Sequence, residues 1–259
     1  MYPFISIASL RIPTYGLMMA VALFVSSSLC IIRGRKQKLQ WETLIVIIAC
    51  IFGFAIIGAV LLYFAVTYSA KEIIEYIKAG SLFTEHIGFV FYGGLIAGFV
   101  GAYIGFKLTG ADFIQYTPVI IPYIPIAHAI GRVGCFLGGC CYGIPTNLPI
   151  GVIYPEFAIS EVPKGIPLFP VQLLESGLLL GIAVILLKAA ERKKGPKHMI
   201  GLYMVLYSCC RFGLEFLRYD AIRGSFQGLS TSQWISVALL AGGILLLFRP
   251  EKTQEENVA

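Results

Sequence analysis

Apolar residues in this chain occur in long runs, without the alternation of strands or the one-sided pattern of surface helices. An α-helix needs about 20 such residues to cross the hydrocarbon core of a bilayer. We therefore predict an all-α, polytopic membrane protein with about seven transmembrane helices, forming a single integral-membrane domain over residues 1–259. The predicted spans cover residues 13–32, 42–67, 89–107, 113–134, 170–188, 199–217 and 231–248.

The fourth predicted span is the least regular, because three prolines in it precede four glycines in and just after it. Irregular backbone is tolerated at membrane depth only where protein or a wet cavity satisfies its polar groups. We therefore expect a bent segment around Arg132 and a functional site beside it. The prolines are Pro118, Pro122 and Pro125, and the glycines are Gly131, Gly134, Gly138 and Gly139.

Composition and charge support a membrane location. Charged residues make up only 13% of the chain and apolar ones 58%, so lipid is the expected solvent for most of its surface. The net charge of +6 resides in short basic clusters that follow every second span, which predicts an outer N-terminus, a cytoplasmic C-terminus and no nucleic-acid partner. The outer face then receives residues 71–87, 143–168 and 219–230, and the first span is expected to be retained rather than cleaved as a signal peptide.

Four ionisable residues lie in or beside apolar spans, where an unpaired charge costs several kcal/mol. Arg211 and Glu215 are at helical spacing, and so are Glu215 and Arg218, which places one carboxylate between two guanidiniums. A membrane salt bridge that sets helix register is one explanation. With Arg132 added, guanidiniums are in excess, which favours an anion site, and a phospholipid head group is the nearest anion in a bilayer.

Other polar side chains near these spans have two interpretations each. His128, one helical turn before the arginine of the fourth span, is either a buried histidine bonded to backbone or a proton acceptor. Gln172 and Glu175 either cap or flank the fifth span or belong to the site, with Glu175 as a second partner for an arginine. Tyr15 and Tyr92 are either interfacial aromatic residues or part of the site lining.

Seven cysteines are an odd number, and a disulfide framework is not expected. The C-x4-C-C spacing of Cys135, Cys140 and Cys141 matches no strong ligand pattern, so we predict neither a metal nor another cofactor. Oxidation of the adjacent pair remains open, and with it thiol–disulfide chemistry as an alternative function. Small-residue spacings such as Gly94 to Gly98 are explained by close helix packing.

Five segments, in this order along nearly the whole chain, resemble the prolipoprotein diacylglyceryl transferase family. They are RIPTYGLMMAVAL, FYGGLIAG, GRVGCFLGGCCYG, FPVQLLES, and RFGLEFLRYD followed by GLSTSQW. The resemblance implies a seven-helix enzyme of the bacterial cytoplasmic membrane whose site opens toward the outer face. Such enzymes move the diacylglyceryl group of phosphatidylglycerol onto the lipobox cysteine of a prolipoprotein and release glycerol phosphate.

Residue roles follow from the residues and from this resemblance together. Arg132, Arg211, Glu215 and Arg218 match polar residues of the family site, Gly143 its last signature glycine and Tyr15 its essential tyrosine. We predict as catalytic His128, Tyr92, Tyr15, Arg211 and Glu215, and as phospholipid-binding Arg132, Arg211, Arg218, Gly143, Gln172 and Glu175. The expected partners are phosphatidylglycerol, a prolipoprotein lipobox peptide and membrane lipid.

The sequence departs from the family pattern mainly where a proton acceptor is expected. Tyr92 replaces a histidine of the third span, Phe169 one of the fifth, Cys135 and Gly138 replace signature asparagines, and Cys140 replaces a glutamate. Two hypotheses remain. Either the reaction is the same, with His128 or the thiol's own ionisation replacing the base, or the scaffold binds or transfers phospholipid with a changed acceptor. Transport is disfavoured, because only one broken segment is visible and inverted repeats predict two.

Overall fold

The computed structural model of the chain describes residues 3–7, 10–80, 88–155, 162–219 and 225–249, which are mostly helical. Two short antiparallel strand pairs accompany the helices in these described ranges. The helices are α1 Thr14–Lys36, α2 Trp41–Thr67, α3 Ala70–Ala79, α4 Phe91–Thr109, α5 Phe113–Ile120, α6 Tyr123–Gly138, α7 Val171–Glu191, α8 Pro196–Glu215 and α9 Thr231–Phe248. The strands are β1 Phe4–Ile7, β2 Leu10–Pro13, β3 Ser225–Phe226 and β4 Leu229–Ser230.

Every predicted span contains a helix, and the chain is a multi-pass helical membrane protein. Five segments in the described ranges are long and apolar enough to cross a bilayer. The count of seven and the orientation stay predictions. The five are Thr14–Lys36, Trp41–Thr67, Phe113–Gly138, Val171–Glu191 and Thr231–Phe248.

The fourth span is broken, but not where the glycines suggested. It consists of α5 and α6, and Pro122 is the residue before α6, where its missing N–H and fixed φ start a helix. The expected bend around Arg132 is wrong, because α6 runs without interruption through that residue. Its glycines allow close approach instead: a Cβ on Gly134 would lie 2.9 Å from Cβ of Met18 on α1.

The break between α5 and α6 contacts the first span. Pro122 cannot donate to the carbonyl four residues before it, so the helical hydrogen-bond ladder is interrupted here. The thiol of Cys30 on α1 donates to the carbonyl of Val119, with 3.8 Å between sulfur and oxygen. A side chain of α1 therefore contacts backbone close to the break.

Residues 31–116 form one of two compact units. Within it α2 packs along α4 through small residues: Gly93 faces the carbonyl of Gly58, and Gly101 that of Cys50, with no room for a side chain at either glycine. The prediction that the glycines of the third span serve helix packing is confirmed. Removing the side chain brings the two backbones into direct van der Waals contact.

Helix α3 of the same unit is short and has no buried residue. It begins with a capping box, in which the Ser69 hydroxyl accepts from the Glu72 backbone N–H and the Glu72 carboxylate accepts from the Ser69 backbone N–H. The Ser69 hydroxyl, which donates to the Glu72 carboxylate at 2.7 Å, and the Ser69 backbone N–H lower the pKa of this carboxyl from its usual value. It ends at Gly80, whose φ of 68° is the left-handed conformation of a glycine cap.

The other unit comprises residues 1–30 and 117–259. In its described part α6 packs on α7, α7 on α8 and α8 on α9. Ile182 and Leu186 of α7 meet Met199 of α8 in a buried apolar cluster. Gly201 and Gly243 bring α8 and α9 together, because a Cβ on either would lie 2.9 Å from the carbonyl oxygen of the other. The prediction of one domain over the whole chain stays a prediction.

Helix α8 ends at Glu215, before the end of the predicted sixth span. Tight turns follow, in which the Arg218 N–H donates to the Glu215 carbonyl at 3.2 Å. Arg218 is therefore outside the helix, and the expectation that it shares a helical face with Arg211 and Glu215 is wrong. Helical spacing does not apply beyond the helix end.

Candidate active site

Three chain segments join at the end of α6. Gly143 donates to the carbonyl of Phe169, which precedes α7, and pairs through a β-bridge with Arg218, which follows α8. A Cβ on Gly143 would lie 2.5 Å from the Phe169 oxygen and 2.8 Å from the Leu217 oxygen, so only glycine fits. Gly143 thus fixes the ends of α6, α7 and α8 beside one another.

A buried ion pair connects α6 to α7. Nη2 of Arg132 lies 2.9 Å from Oε1 of Glu175, whose side chain is 3% exposed. An ion pair of this length is strong in low-dielectric surroundings, and removal of either partner would leave a buried charge. The pair therefore fixes the position of the arginine on the face of α6 that meets α7.

His128 faces the same carboxylate. Its Nε2 lies 3.9 Å from Oε1 of Glu175, and its ring lies 5.6 Å from that of Tyr207, centroid to centroid. The helical spacing of His128 and Arg132 places both on one face of α6, as predicted. Glu175 thus faces a cation and a titratable ring, which is an arrangement that can pass or hold a proton.

A second ion pair lies within α8. Nη2 of Arg211 is 2.8 Å from Oε2 of Glu215, and it also donates to the Ser232 hydroxyl of α9 at 3.0 Å. The Arg211 side chain is 8% exposed and that of Glu215 is 9% exposed. Both charges are therefore held away from solvent, and Ser232 orients the guanidinium from the neighbouring helix.

Both guanidiniums keep hydrogen-bonding capacity. Nε of Arg132 and Nη1 of Arg211 are buried and have no acceptor among the described residues. A buried N–H without a partner costs about 1–3 kcal/mol. Since guanidinium geometry matches two oxygens of a phosphate, these donors suit a phosphate ester.

Gln172 supports the loop after α6. Its Nε2 donates to the carbonyl of Cys140 at 2.7 Å and to the hydroxyl of Tyr154 at 2.9 Å, and the residue is 1% exposed. Burial raises the pKa of Tyr154 to about 12, so its hydroxyl keeps its proton at neutral pH. The interpretation as a helix cap is wrong, since the residue before α7 has no side-chain cap bond.

Three cysteine sulfurs lie close together beside Arg132. The Sγ atoms of Cys135, Cys140 and Cys141 are all within 4.8 Å of one another. Nη1 of Arg132 is 4.0 Å from Sγ of Cys135, and none of the three cysteines forms a disulfide with another described residue. Cys135 and Cys140, which stand at two signature positions of the resembled family, thus lie beside the ion pair of Arg132 and Glu175.

The two predicted tyrosines lie in different units. Tyr15 opens α1, and its Cδ2 is 3.5 Å from where a Cβ of Gly134 would stand. Arg132 and the three clustered cysteines all act on it electrostatically, so it belongs to the same neighbourhood. Tyr92 lies in the first turn of α4, in the unit formed by residues 31–116.

Sequence reasoning missed several contacts. Ser232 and Tyr154 carry no signal, since serine and tyrosine are common near span ends, and their partners are distant in the sequence. Ser176 is a third case: it donates to the carbonyl of Ala129 at 2.9 Å and links α7 to α6. The sequence did offer one indication of this contact, because Ser176 directly follows Glu175, which was itself a candidate site residue.

Comparison with known proteins decides the family. A sequence profile described as prolipoprotein diacylglyceryl transferase matches residues 3–249. The chain belongs to this family.

Members of the prolipoprotein diacylglyceryl transferase family match over most of their own length. Phosphatidylglycerol--prolipoprotein diacylglyceryl transferase 2 of Clostridium perfringens is 34% identical, covering 93% of this chain and 91% of that protein. The protein named phosphatidylglycerol--prolipoprotein diacylglyceryl transferase in Clostridium tetani is also 34% identical, covering 92% of each chain. One of the same name in Finegoldia magna is 29% identical over 95% of this chain and 94% of its own. The resemblance inferred from five segments is confirmed.

Proposed function

We propose that this protein transfers the diacylglyceryl group of phosphatidylglycerol to the cysteine thiol of a prolipoprotein lipobox. The observation that carries the proposal is the pair of buried guanidiniums, Arg132 and Arg211, each with an N–H left over from its ion pair. The names of the relatives give the same substrates. The protein is then an alkyl-type transferase.

In this reaction the acceptor sulfur attacks the glycerol carbon that carries the phosphate ester. A carbon–sulfur bond forms, the carbon–oxygen bond breaks, and glycerol phosphate leaves with the electron pair. Negative charge on the leaving phosphate grows as the bond breaks, so Arg132 and Arg211 stabilise the transition state more than the bound lipid. Arg218, beside Gly143 at the rim of the same loop, contributes further positive charge.

The thiol proton needs an acceptor. His128 lies 3.9 Å from Glu175, which is paired with Arg132, and we assign this step to His128. Tyr15 lines the lipid path beside Arg132, with its hydroxyl orienting the head group. The catalytic role of Tyr92 stays a prediction. Gln172 and Gly143 act by fixing the loop that surrounds it.

The arrangement in the membrane follows the charge pattern. We propose seven spans in the bacterial cytoplasmic membrane, with the N-terminus outside and the C-terminus inside. Arg33, Arg35 and Lys36 end α1 and remain on the cytoplasmic side. The site then opens to the outer face, where a secreted prolipoprotein presents its lipobox.

A second candidate is a phospholipid-binding or lipid-transferring protein with a different acceptor. It is favoured by the replacement of the family's histidine by Tyr92 and of signature residues by Cys135 and Cys140. Arg132 and Arg211 would contact the phosphate of the lipid in the same way, while the molecule that accepts the lipid group would differ.

The two candidates are separated by the product. Purified protein is mixed with phosphatidylglycerol vesicles and a lipobox peptide, and the peptide mass is measured for the added diacylglyceryl thioether. We expect the unaltered protein to form the product. The transfer rate should fall at least 100-fold in Arg211→Ala, which is about the effect of removing one transition-state charge contact. Arg192→Ala, which changes an exposed arginine after α7, should keep full activity. Lipid binding without thioether would instead favour the second candidate.

A further inference from the structure

The three-cysteine cluster has the geometry of a soft-metal site. Thiolates bound at about 2.3 Å to one zinc ion lie about 3.8 Å apart in tetrahedral geometry. The Sγ atoms of Cys135, Cys140 and Cys141 are within 4.8 Å of one another, so small χ1 rotations bring them to that spacing. The spacing of these cysteines in the sequence matches no known ligand motif, but the turn after α6 brings their sulfurs together as possible ligands of one ion.

The backbone is shaped to bring these sulfurs together. Gly139 ends α6 in the left-handed conformation, with φ of 77°, and Cys141 takes a φ of 59°. A left-handed φ is uncommon for a non-glycine residue and persists only where surrounding contacts enforce it. Here the Cys140 N–H donates to the Cys135 carbonyl at 3.1 Å, and Gln172 holds the Cys140 carbonyl at 2.7 Å.

The local charge favours an anionic metal–thiolate group. Three thiolates and one Zn²⁺ carry a net charge of about −1, and a fourth thiolate makes it about −2. Nη1 of Arg132 lies 4.0 Å from Sγ of Cys135, and both Arg132 and Arg218 act electrostatically on Cys141. The guanidiniums thus compensate a charge that a membrane-facing site would not tolerate alone.

Three protein ligands leave one position of a tetrahedral ion open, as in catalytic zinc sites. We propose that Cys135, Cys140 and Cys141 bind one zinc ion, and that its fourth position takes the acceptor thiol of the lipobox peptide. The second half of this proposal rests on the proposed transferase function. It places the acceptor sulfur beside Arg132 and gives the cysteines at the family's asparagine and glutamate positions a chemical role.

The step balances without any other co-reactant. Coordination to zinc releases the proton of the peptide thiol to His128 or to solvent, leaving a zinc-bound thiolate. This sulfur attacks the glycerol carbon of phosphatidylglycerol, the carbon–oxygen bond breaks, and glycerol phosphate leaves with the electron pair. The thioether that forms binds zinc weakly and departs.

Metal binding is tested on the whole purified protein, reduced and freed of metal, without reference to activity. Cadmium is added as a spectroscopic probe, and the sulfur-to-cadmium charge-transfer band is titrated. We expect one cadmium per chain, its displacement by zinc, and at least a tenfold weaker site in Cys135→Ser, Cys140→Ser and Cys141→Ser. Cys209→Ser, which changes an exposed cysteine of α8, keeps the full signal.

Any of three results would overturn the metal site. The first is a charge-transfer band that does not saturate with cadmium. The second is a Cys209→Ser variant that loses as much cadmium affinity as the cluster variants, and the third is an intact mass that shows a disulfide within the cluster after mild reduction. Phosphatidylglycerol binding, followed in parallel, shows that each serine variant is folded.

The open position is tested with cobalt in place of zinc. A lipobox peptide should change the cobalt visible spectrum, and its serine analogue should not. An unchanged spectrum with cobalt bound would sink the acceptor role. If the spectrum changes but no thioether forms in the transfer assay, the proposed function fails while the zinc site stands. If the metal-free variant with serine at all three cluster positions transfers at the full rate, zinc does not activate the acceptor thiol, while the metal site itself is not contradicted.

Discussion

The two buried ion pairs differ in what they hold together. Arg132 and Glu175 join α6 to α7, whereas Arg211 and Glu215 lie within α8 and are tied to α9 through Ser232. Exposure of the four side chains is similarly low, so the difference is topological. A pair between helices fixes tertiary structure, while a pair within one helix mainly orients a side chain.

The largest expected effect is on the pair between helices. Glu175→Ala leaves Arg132 buried without its carboxylate and separates α6 from α7, so we expect a loss of about 3–5 kcal/mol in unfolding free energy. Reversible unfolding in detergent micelles measures it, with Glu191→Ala at the exposed end of α7 as the control. Equal stability of the Glu175 and Glu191 variants would contradict a structural role for this pair.

The pair within α8 should cost less to break. In Glu215→Ala, the Arg211 guanidinium keeps its hydrogen bond to Ser232, so we expect about 1.5–3 kcal/mol, the range for a hydrogen bond to a charged group. The same unfolding measurement applies. A loss larger than that of Glu175→Ala would reverse the ranking of the two pairs.

Ser232→Ala tests the link between α8 and α9 by itself. We expect a loss of about 1–3 kcal/mol at most, because Arg211 retains Glu215. Combined with Glu215→Ala, the loss should exceed the sum of the single changes, since the two groups share one guanidinium. Strict additivity in a double-mutant cycle would show that they act independently.

The smallest effect concerns a fully local contact, the capping box of α3. The lowered pKa of Glu72 means that its stabilising contribution is present above the carboxyl's ordinary pKa and is lost as pH falls through the lowered one. Amide hydrogen exchange near the start of α3, corrected for its intrinsic pH dependence, should therefore show less protection in acid, and Ser69→Ala should weaken this change. Exchange that is equally protected in both proteins at all pH values would refute this assignment.

The sequence was sufficient to predict the features that depend on residues close together along the chain. Helical windows, the break in the fourth span and the spacing of Arg211 and Glu215 all follow from apolar runs, proline chemistry and the 3.6-residue period. It was misleading where glycines were taken as helix breakers. In α6 they let a neighbouring helix approach, and the helix runs on through Arg132.

Among polar side chains, tertiary contacts were predicted only where a buried charge required a partner. Glu175 was expected as an arginine partner because a buried guanidinium needs an anion, and the structure places it on Arg132. The cysteine cluster was not predictable, since its assembly depends on the left-handed backbone at Gly139 and Cys141. No helical or extended repeat brings residues with that spacing together.

The contact between Cys30 and the Val119 carbonyl bears on how the chain enters the membrane. Synthesis runs from the N-terminus, so α1 is complete long before the break between α5 and α6 leaves the ribosome. The Val119 carbonyl beside the break then meets a thiol already present in lipid. The order of translation thus supplies the partner in advance, and the first helix serves as a template for placing the fourth span.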